Sequence, residues 1–339
     1  MKKPCSYFYI AVMLIFFVSI ANCIIAQKAD MLIVNKIRSN GNLPGSLAFM
    51  NLESGKVLNT VPVGNEPHEV AVSSDFKYAL VTNTGSYQEP GNTLSLIDIS
   101  AQKEVCRVNL GVLWNPHGLI FNHGLFYFTA EGSKSIGAYD AVNNKLVWIN
   151  GTGQDGTHML AATRDGKTLI AANRGSGTIS IFKLRGDNPL FAGAWKETFV
   201  NVGRGPEGID ITADGSKVYV GCGGEIAVVD LNSQTKVDSI DTGEARAARV
   251  KLTPDGKYIL GTDGRQGNLF FINVVTRKIE KTLHLGAGTE PIFIAPDGKH
   301  ALIGVTNENK VIEVDLAQKE IIRELNDFQG PDAMIWIGK

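Results

Sequence analysis

No two cysteines of this chain stand in a Cys-x-x-Cys pair, and no Cys-x-x-Cys-His segment occurs, which excludes the usual cysteine metal and redox pairs and a c-type haem attachment site. The four cysteines are Cys5, Cys23, Cys106 and Cys222. The last two fall in separate repeat units, where they are expected to be free small hydrophobes. Charge of one sign is also missing. With 33 basic and 34 acidic residues the net charge is −1, so no general electrostatic reason to bind nucleic acid exists. A Gly-x-Ser-x-Gly elbow is absent, and Ser73 and Ser74 stand at the wrong end of their strand to meet His68. Cys222-Gly223-Gly224 reads as a strand turn and not a phosphate loop. Proline is scarce, at 12 residues against 37 glycines, which makes the chain turn-rich without making it low in complexity.

The apolar run of 7–20 follows Lys2 and Lys3 and precedes Ala21-Asn22-Cys23-Ile24-Ile25-Ala26, the layout of a secretory signal and its processing region. The expected organisation is a signal over 1–26 and one folded unit over 27–339. Cleavage after Ala26 would release a soluble exported protein, periplasmic or extracellular. The alternative is an imperfect lipoprotein box at 20–23, in which Cys23 carries lipid and ties the protein to the cell envelope. A retained membrane anchor is a third reading, although no span is expected in the mature chain.

What is present in quantity is a repeated phrase: a Pro or Gly corner, an apolar strand, an Asp-Gly turn, a second strand, then a strand closing on Asp. It starts at Pro67-His68, Pro116-His117, Thr157-His158, Pro206-Glu207, Ala247-Ala248, Glu290-Pro291 and Pro331-Asp332, roughly 40 to 49 residues apart. That period fits a four-stranded propeller blade. Asp165-Gly166, Asp214-Gly215, Asp255-Gly256 and Asp297-Gly298 each join two β-branched or aromatic runs, as a tight hairpin requires.

The two ends complete one another. Segments 29–35, 46–51 and 57–63 read as the second, third and fourth strands of a unit that lacks its first, and 333–337 reads as a first strand with no successors. Pairing them closes a ring and removes two sheet edges. The prediction is an all-β seven-bladed β-propeller, its last blade shared by N-terminal strands and a C-terminal inner strand. An open array with frayed ends is the alternative.

Gly64-Asn65-Glu66-Pro67-His68-Glu69-Val70-Ala71-Val72, Tyr78-Ala79-Leu80-Val81-Thr82-Asn83 and Leu94-Ser95-Leu96-Ile97-Asp98 resemble the YVTN β-propeller repeat, as do 205–211, 218–220 and 226–230. The resemblance covers nearly all of 29–339. It implies an exported or surface-associated propeller, similar in structure to the haem d1 domain of nitrite reductases and to seven-bladed lactonases, and it implies no particular reaction.

Inner strands begin at one mouth of a propeller channel, so the residues after each corner should gather there. His68, His117, His158, Glu207 and Asp332 are those residues, with Arg246 and Arg249 beside Ala248, and with Glu290 or Ile292 in the sixth unit. The candidate ligand-binding set is His68, His117, His158, Glu207 and Asp332, with Asn83 and Asn173 from the second-to-third loops. His68, His117 and His158 are the candidate metal ligands, and Glu207, His117, His158, Arg246 and Arg249 the candidate catalytic groups, because imidazole suits proton transfer and guanidinium suits an oxyanion. An architectural role for the histidines is the competing account. A second set, Asn35, Asn83, Glu131, Asn173, Asp263 and Asn307, lies in the second-to-third loops and either caps those loops or walls a recognition surface. Insertions at 84–92, with Tyr87, and at 185–198, with Arg185, Phe191 and Trp195, depart from the repeat; the second is expected on the face opposite the histidines.

The functional expectation is a monomeric recognition or scaffolding module that meets an envelope protein, a polymer or a small ligand at the channel mouth. Alternatives are a lactonase-like hydrolase and a metal- or haem-associated redox accessory. No cofactor is required by the sequence.

Overall fold

The computed structural model describes residues 27–37, 44–190 and 194–338. The 1–26 segment with Cys23, and Phe191, lie outside the described residues.

Seven antiparallel four-stranded sheets form the molecule. Their inner strands are Pro67–Val72, Pro116–Asn122, Thr157–Ala162, Ile209–Ile211, Arg249–Leu252, Thr289–Ile294 and Pro331–Trp336, for blades one to seven. The seventh sheet runs Pro331–Trp336, Met31–Asn35, Pro44–Asn51, Lys56–Asn65, with Leu32 opposite Ile335 and Ile33 opposite Met334. The ring is therefore closed by the two ends of the chain, as their strand patterns predict.

Apolar side chains are buried between blades, because a sheet with alternating residues hides each face against a neighbour. One cluster joins Leu32, Val34 and Phe49 of blade seven to Val70 and Val81 of blade one; another joins Met31, Ile33 and Met50 to Leu302 and Val311 of blade six. Outer strands show the reverse, as in Lys103–Asn109, where exposed and half-buried residues alternate.

Two local devices set up the channel. Threonines on or just after second strands hook the next inner strand: Thr82 Oγ1 donates to His117 O at 2.9 Å, Thr129 to His158 O at 2.5 Å, Thr262 to Glu290 O at 2.7 Å and Thr306 to Pro331 O at 2.8 Å. The inner strands also break register at their corners, between Pro67 and Val70, Pro116 and Leu119, Thr157 and Leu160, and Thr289 and Ile292. Such a bulge re-aims the residues within it. Here it turns the corner residues towards the axis. Gly118 allows the blades to close at that level, since a Cβ there would lie 2.5 Å from His158 O and 2.7 Å from Leu160 N.

Candidate functional site

The corner residues meet at the mouth in one interlocked layer. The His68 and His117 rings pack in a tilted stack with centroids 4.1 Å apart and planes 42° apart, and His117 and His158 with centroids 3.7 Å and planes 36° apart. His68 Nδ1 lies 2.8 Å from Asp332 Oδ2 and 3.3 Å from Lys36 Nζ; its tautomer decides which of the two it bonds. At the other end of the stack, His158 Nδ1 is 3.0 Å from Glu131 Oε2 and its Nε2 is 3.6 Å from Glu207 Oε1. Glu207 also pairs with Arg246 and, at 3.3 Å, with Arg249. Arg249 then reaches Glu69 at 3.3 Å, on the opposite side of the ring.

Burial controls the charge states of this layer. His117 and Asp332 are 2% and 1% exposed. Desolvation, then Lys36, lowers His68 to about 4 against the pull of Asp332. His117 is lowered well below its ordinary value by the same desolvation and by its flanking histidines. Burial alone would raise Glu207, but His158, Arg249 and Arg174 outweigh it and hold the carboxylate far below the usual range. Asp332 behaves likewise, with Lys36 and His68 overcoming its desolvation. Glu69 goes the other way. Its burial wins over Arg249 and lifts it to about 7.

Beneath the layer the channel opens into a cavity of about 520 Å3. Glu69, Arg249 and Asp332 border it at the charged end. Ile120, Met159, Ile211, Ile292 and Met334 form its walls, and Arg164, Lys251 and Asp210 stand towards the strand-turn face. Lys251 Nζ and Asp210 Oδ1 are 3.2 Å apart. The mouth with the histidines is thus filled by protein, and the roomy end of the channel is the other one.

Of the sequence candidates, His68, His117, His158, Glu207, Asp332, Arg246 and Arg249 are brought together. Asn83 and Asn173 are not. Asn83 Oδ1 accepts from Gly64 N at 2.9 Å and its amide donates to Thr93 and Ser95. Asn173 bonds Thr157, Thr178 and Ser180. Both hold strands of a blade to its preceding corner. Asn35 does similar work, bonding Ser46 Oγ and accepting from Gln329 N. Asp263 accepts backbone N–H groups of Arg246, Arg265 and Gln266. Glu131 of the loop set joins the layer. In the 185–198 insertion, Trp195 is buried against Trp148 and Tyr127 and donates Nε1–H to Pro189 O, covering a blade edge. Tyr87 is 96% exposed.

The sequence reading missed Glu69, Lys36 and Arg174. Glu69 follows His68 directly, and strand alternation would send it to the other face; the register break at 67–70 removes that alternation. Cys106 and Cys222 are free, and among the described residues no group of three or more His, Cys, Asp or Glu could hold a metal ion. The three histidine rings pack against each other at tilts of 42° and 36°.

The architecture is that of a seven-bladed propeller of the kind found in lactonase-type proteins. Neither a protein-family model nor a curated protein sequence matches the chain. Solved structures do. A periplasmic gluconolactonase of Pseudomonas aeruginosa is similar at 14% identity and TM-score 0.70, over 91% of this chain and 99% of that one. A Bacteroides fragilis protein provisionally described as a 6-phosphogluconolactonase is similar at 16% identity and TM-score 0.71, over 92% and 99%. Hydrazine synthase of Kuenenia stuttgartiensis is similar at 18% identity and TM-score 0.67, over 79% and 88%. At these identities the likeness shows the fold alone.

Proposed function

We propose that the protein is an exported recognition module that takes a small ligand into its central channel from the strand-turn face. The observation that carries this reading is the contrast between a mouth packed with paired side chains and a cavity of about 520 Å3 below it. That volume lies in the range of small-molecule sites, and the mix of apolar walls with a few charged groups is what such sites use. Export is supported by the Lys2-Lys3, apolar and small-residue pattern of 1–26, and by the fold's likeness to a periplasmic protein. Lipidation at Cys23 is the competing fate of that segment. Among the described residues no helix is long and apolar enough to cross a membrane.

Native mass spectrometry after incubation with a small-molecule extract of the producing cells tests the reading. A retained ligand should be lost in Ala162→Trp, which places an indole in the cavity. A ligand held equally by that variant would move the site elsewhere on the molecule.

A second reading has one specific observation in its favour: Glu69, lifted to about 7 by burial, stands 3.3 Å from Arg249 at the cavity's inner end. A carboxyl near 7 suits a general base, and the guanidinium suits developing negative charge on a lactone oxygen. Glu207, held ionised by its cations, is the poorer base. In this reading δ-gluconolactone is hydrolysed, and Glu69→Gln lowers kcat/KM by about 100-fold or more. Hydrolysis no faster than the buffer, or untouched by the substitution, would remove it.

A further inference from the structure

The inner end of the cavity carries an unsatisfied buried acceptor. Asp332 borders the cavity and is 1% exposed, yet its Oδ1, like its Oδ2, has no hydrogen-bond partner of good geometry. Lys36 and His68 both approach the other oxygen, Oδ2. Glu69 has one side-chain partner among the described residues, Arg249 on Oε1, and Arg249 is shared with Glu207. Buried acceptors in native proteins are almost always satisfied, so an orphaned carboxylate oxygen at a cavity boundary points to a donor supplied from outside the chain. The walls narrow the choice. Ile120, Met159, Ile211, Ile292 and Met334 are apolar, come from five different blades, and are each only half-buried because they face the channel.

We propose that the channel ligand is an aliphatic primary ammonium compound, with its –NH3+ between Glu69 and Asp332 and its alkyl chain against the apolar wall. This rests on the reading of the channel as the ligand site. An ammonium group brings three N–H donors on a compact cation, enough to serve Asp332 Oδ1 and the second oxygen of Glu69 together. Its desolvation is costly unless it is paired, and the Asp332 carboxylate, joined by Glu69 where that group is ionised above about pH 7, supplies the pairing. A carboxylate ligand would face Glu69 and Asp332 with like charge. A neutral alcohol offers one donor for two acceptors.

Isothermal titration of the mature protein with hexylammonium, hexan-1-ol and hexanoate tests the class. Hexylammonium should bind at least about tenfold more tightly than either analogue, a difference of about 1.4 kcal/mol. Glu69→Gln and Asp332→Asn should each weaken it by at least the same factor, and Met334→Trp should abolish it. Asp332→Asn disturbs the Lys36 and His68 contacts, so Glu69→Gln is the decisive variant if the first fails to fold. Equal or tighter binding of hexan-1-ol or hexanoate, lost in Met334→Trp, would overturn the ammonium assignment and leave the channel as the site. If none of the three binds, or if binding survives Met334→Trp, the ammonium proposal is overturned. Survival in that variant also removes the channel reading.

Discussion

His68 and Glu69 are neighbours that titrate in opposite senses for the same reason, removal from water. Glu69 is raised from 4.5 to about 7, so the folded protein keeps a proton that the unfolded chain releases. Its stabilising contribution is complete below 4.5 and is lost as pH rises through about 7. His68 is lowered from 6.5 to about 4; its contribution is complete above 6.5 and is lost as pH falls through about 4. His117 has the sign of His68. Between roughly 4.5 and 6.5, then, Glu69 offsets one of the two histidines. In Glu69→Gln the rise of unfolding free energy with pH across that window should steepen by up to about 1.4 kcal/mol per pH unit, one proton's worth. Urea unfolding at several pH values checks it, and an unchanged slope would mean that Glu69 is not held protonated.

Thr129 is a second residue-scale test. It donates to His158 O at 2.5 Å and accepts from Gly118 N at 2.8 Å, joining two blades directly behind the histidine stack. Thr129→Val keeps the shape and leaves both backbone groups unsatisfied, so we expect a loss of about 2 kcal/mol in chemical denaturation. The corner histidines were legible in the sequence because they recur at one phase of the repeat. Glu131 was legible only as one of the loop residues, and Lys36 and Arg174 not at all, because they come from other segments that only the closed ring brings to the axis.

At the scale of elements, the register break in the inner strand decides what the channel contains. Alternation alone sends adjacent residues to opposite faces, whereas the break at 67–70 lets His68 join the ring stack and Glu69 border the cavity. Hairpins were easy to read, because Asp-Gly turns announce themselves: Gly166 takes φ +67° while Asp165 Oδ1 accepts Lys167 N at 3.0 Å. A bulge has no comparable signature, so the cavity was not legible, and the ligand or partner was expected at the histidine mouth. Gly118 marks one place where neighbouring blades approach closely. Gly118→Ala would set a methyl against the backbone of blade three, and we expect about 1–3 kcal/mol of destabilisation with a loosened His117–His158 stack. Thermal melting and the imidazole NMR signals would report the two effects separately.

The whole molecule depends on closure. Blade seven is held by Pro331–Trp336 against Met31–Asn35, by Ile337 N donating to Asp30 O at 2.7 Å, and by Arg323 of blade six reaching Glu53 O at 2.9 Å. This much followed from unmatched strands at the two ends. Removing 330–339 takes away the seventh inner strand and, with it, Asp332. We expect loss of soluble folded protein or a large fall in melting temperature, against little change on removing Lys339 alone. An unaltered melting transition and hydrodynamic radius in the longer truncation would contradict the closure.

Closure also makes the channel a single space shared by all seven blades, filled at the histidine mouth and open below. A crystal structure of the ligand-loaded protein tests that account most directly. The account predicts ligand density below the charged layer, bounded by Glu69, Arg249 and Met334, with the His68–His117–His158 stack unmoved. Density above His117, at the mouth near Tyr87, with the cavity holding only water, would contradict it.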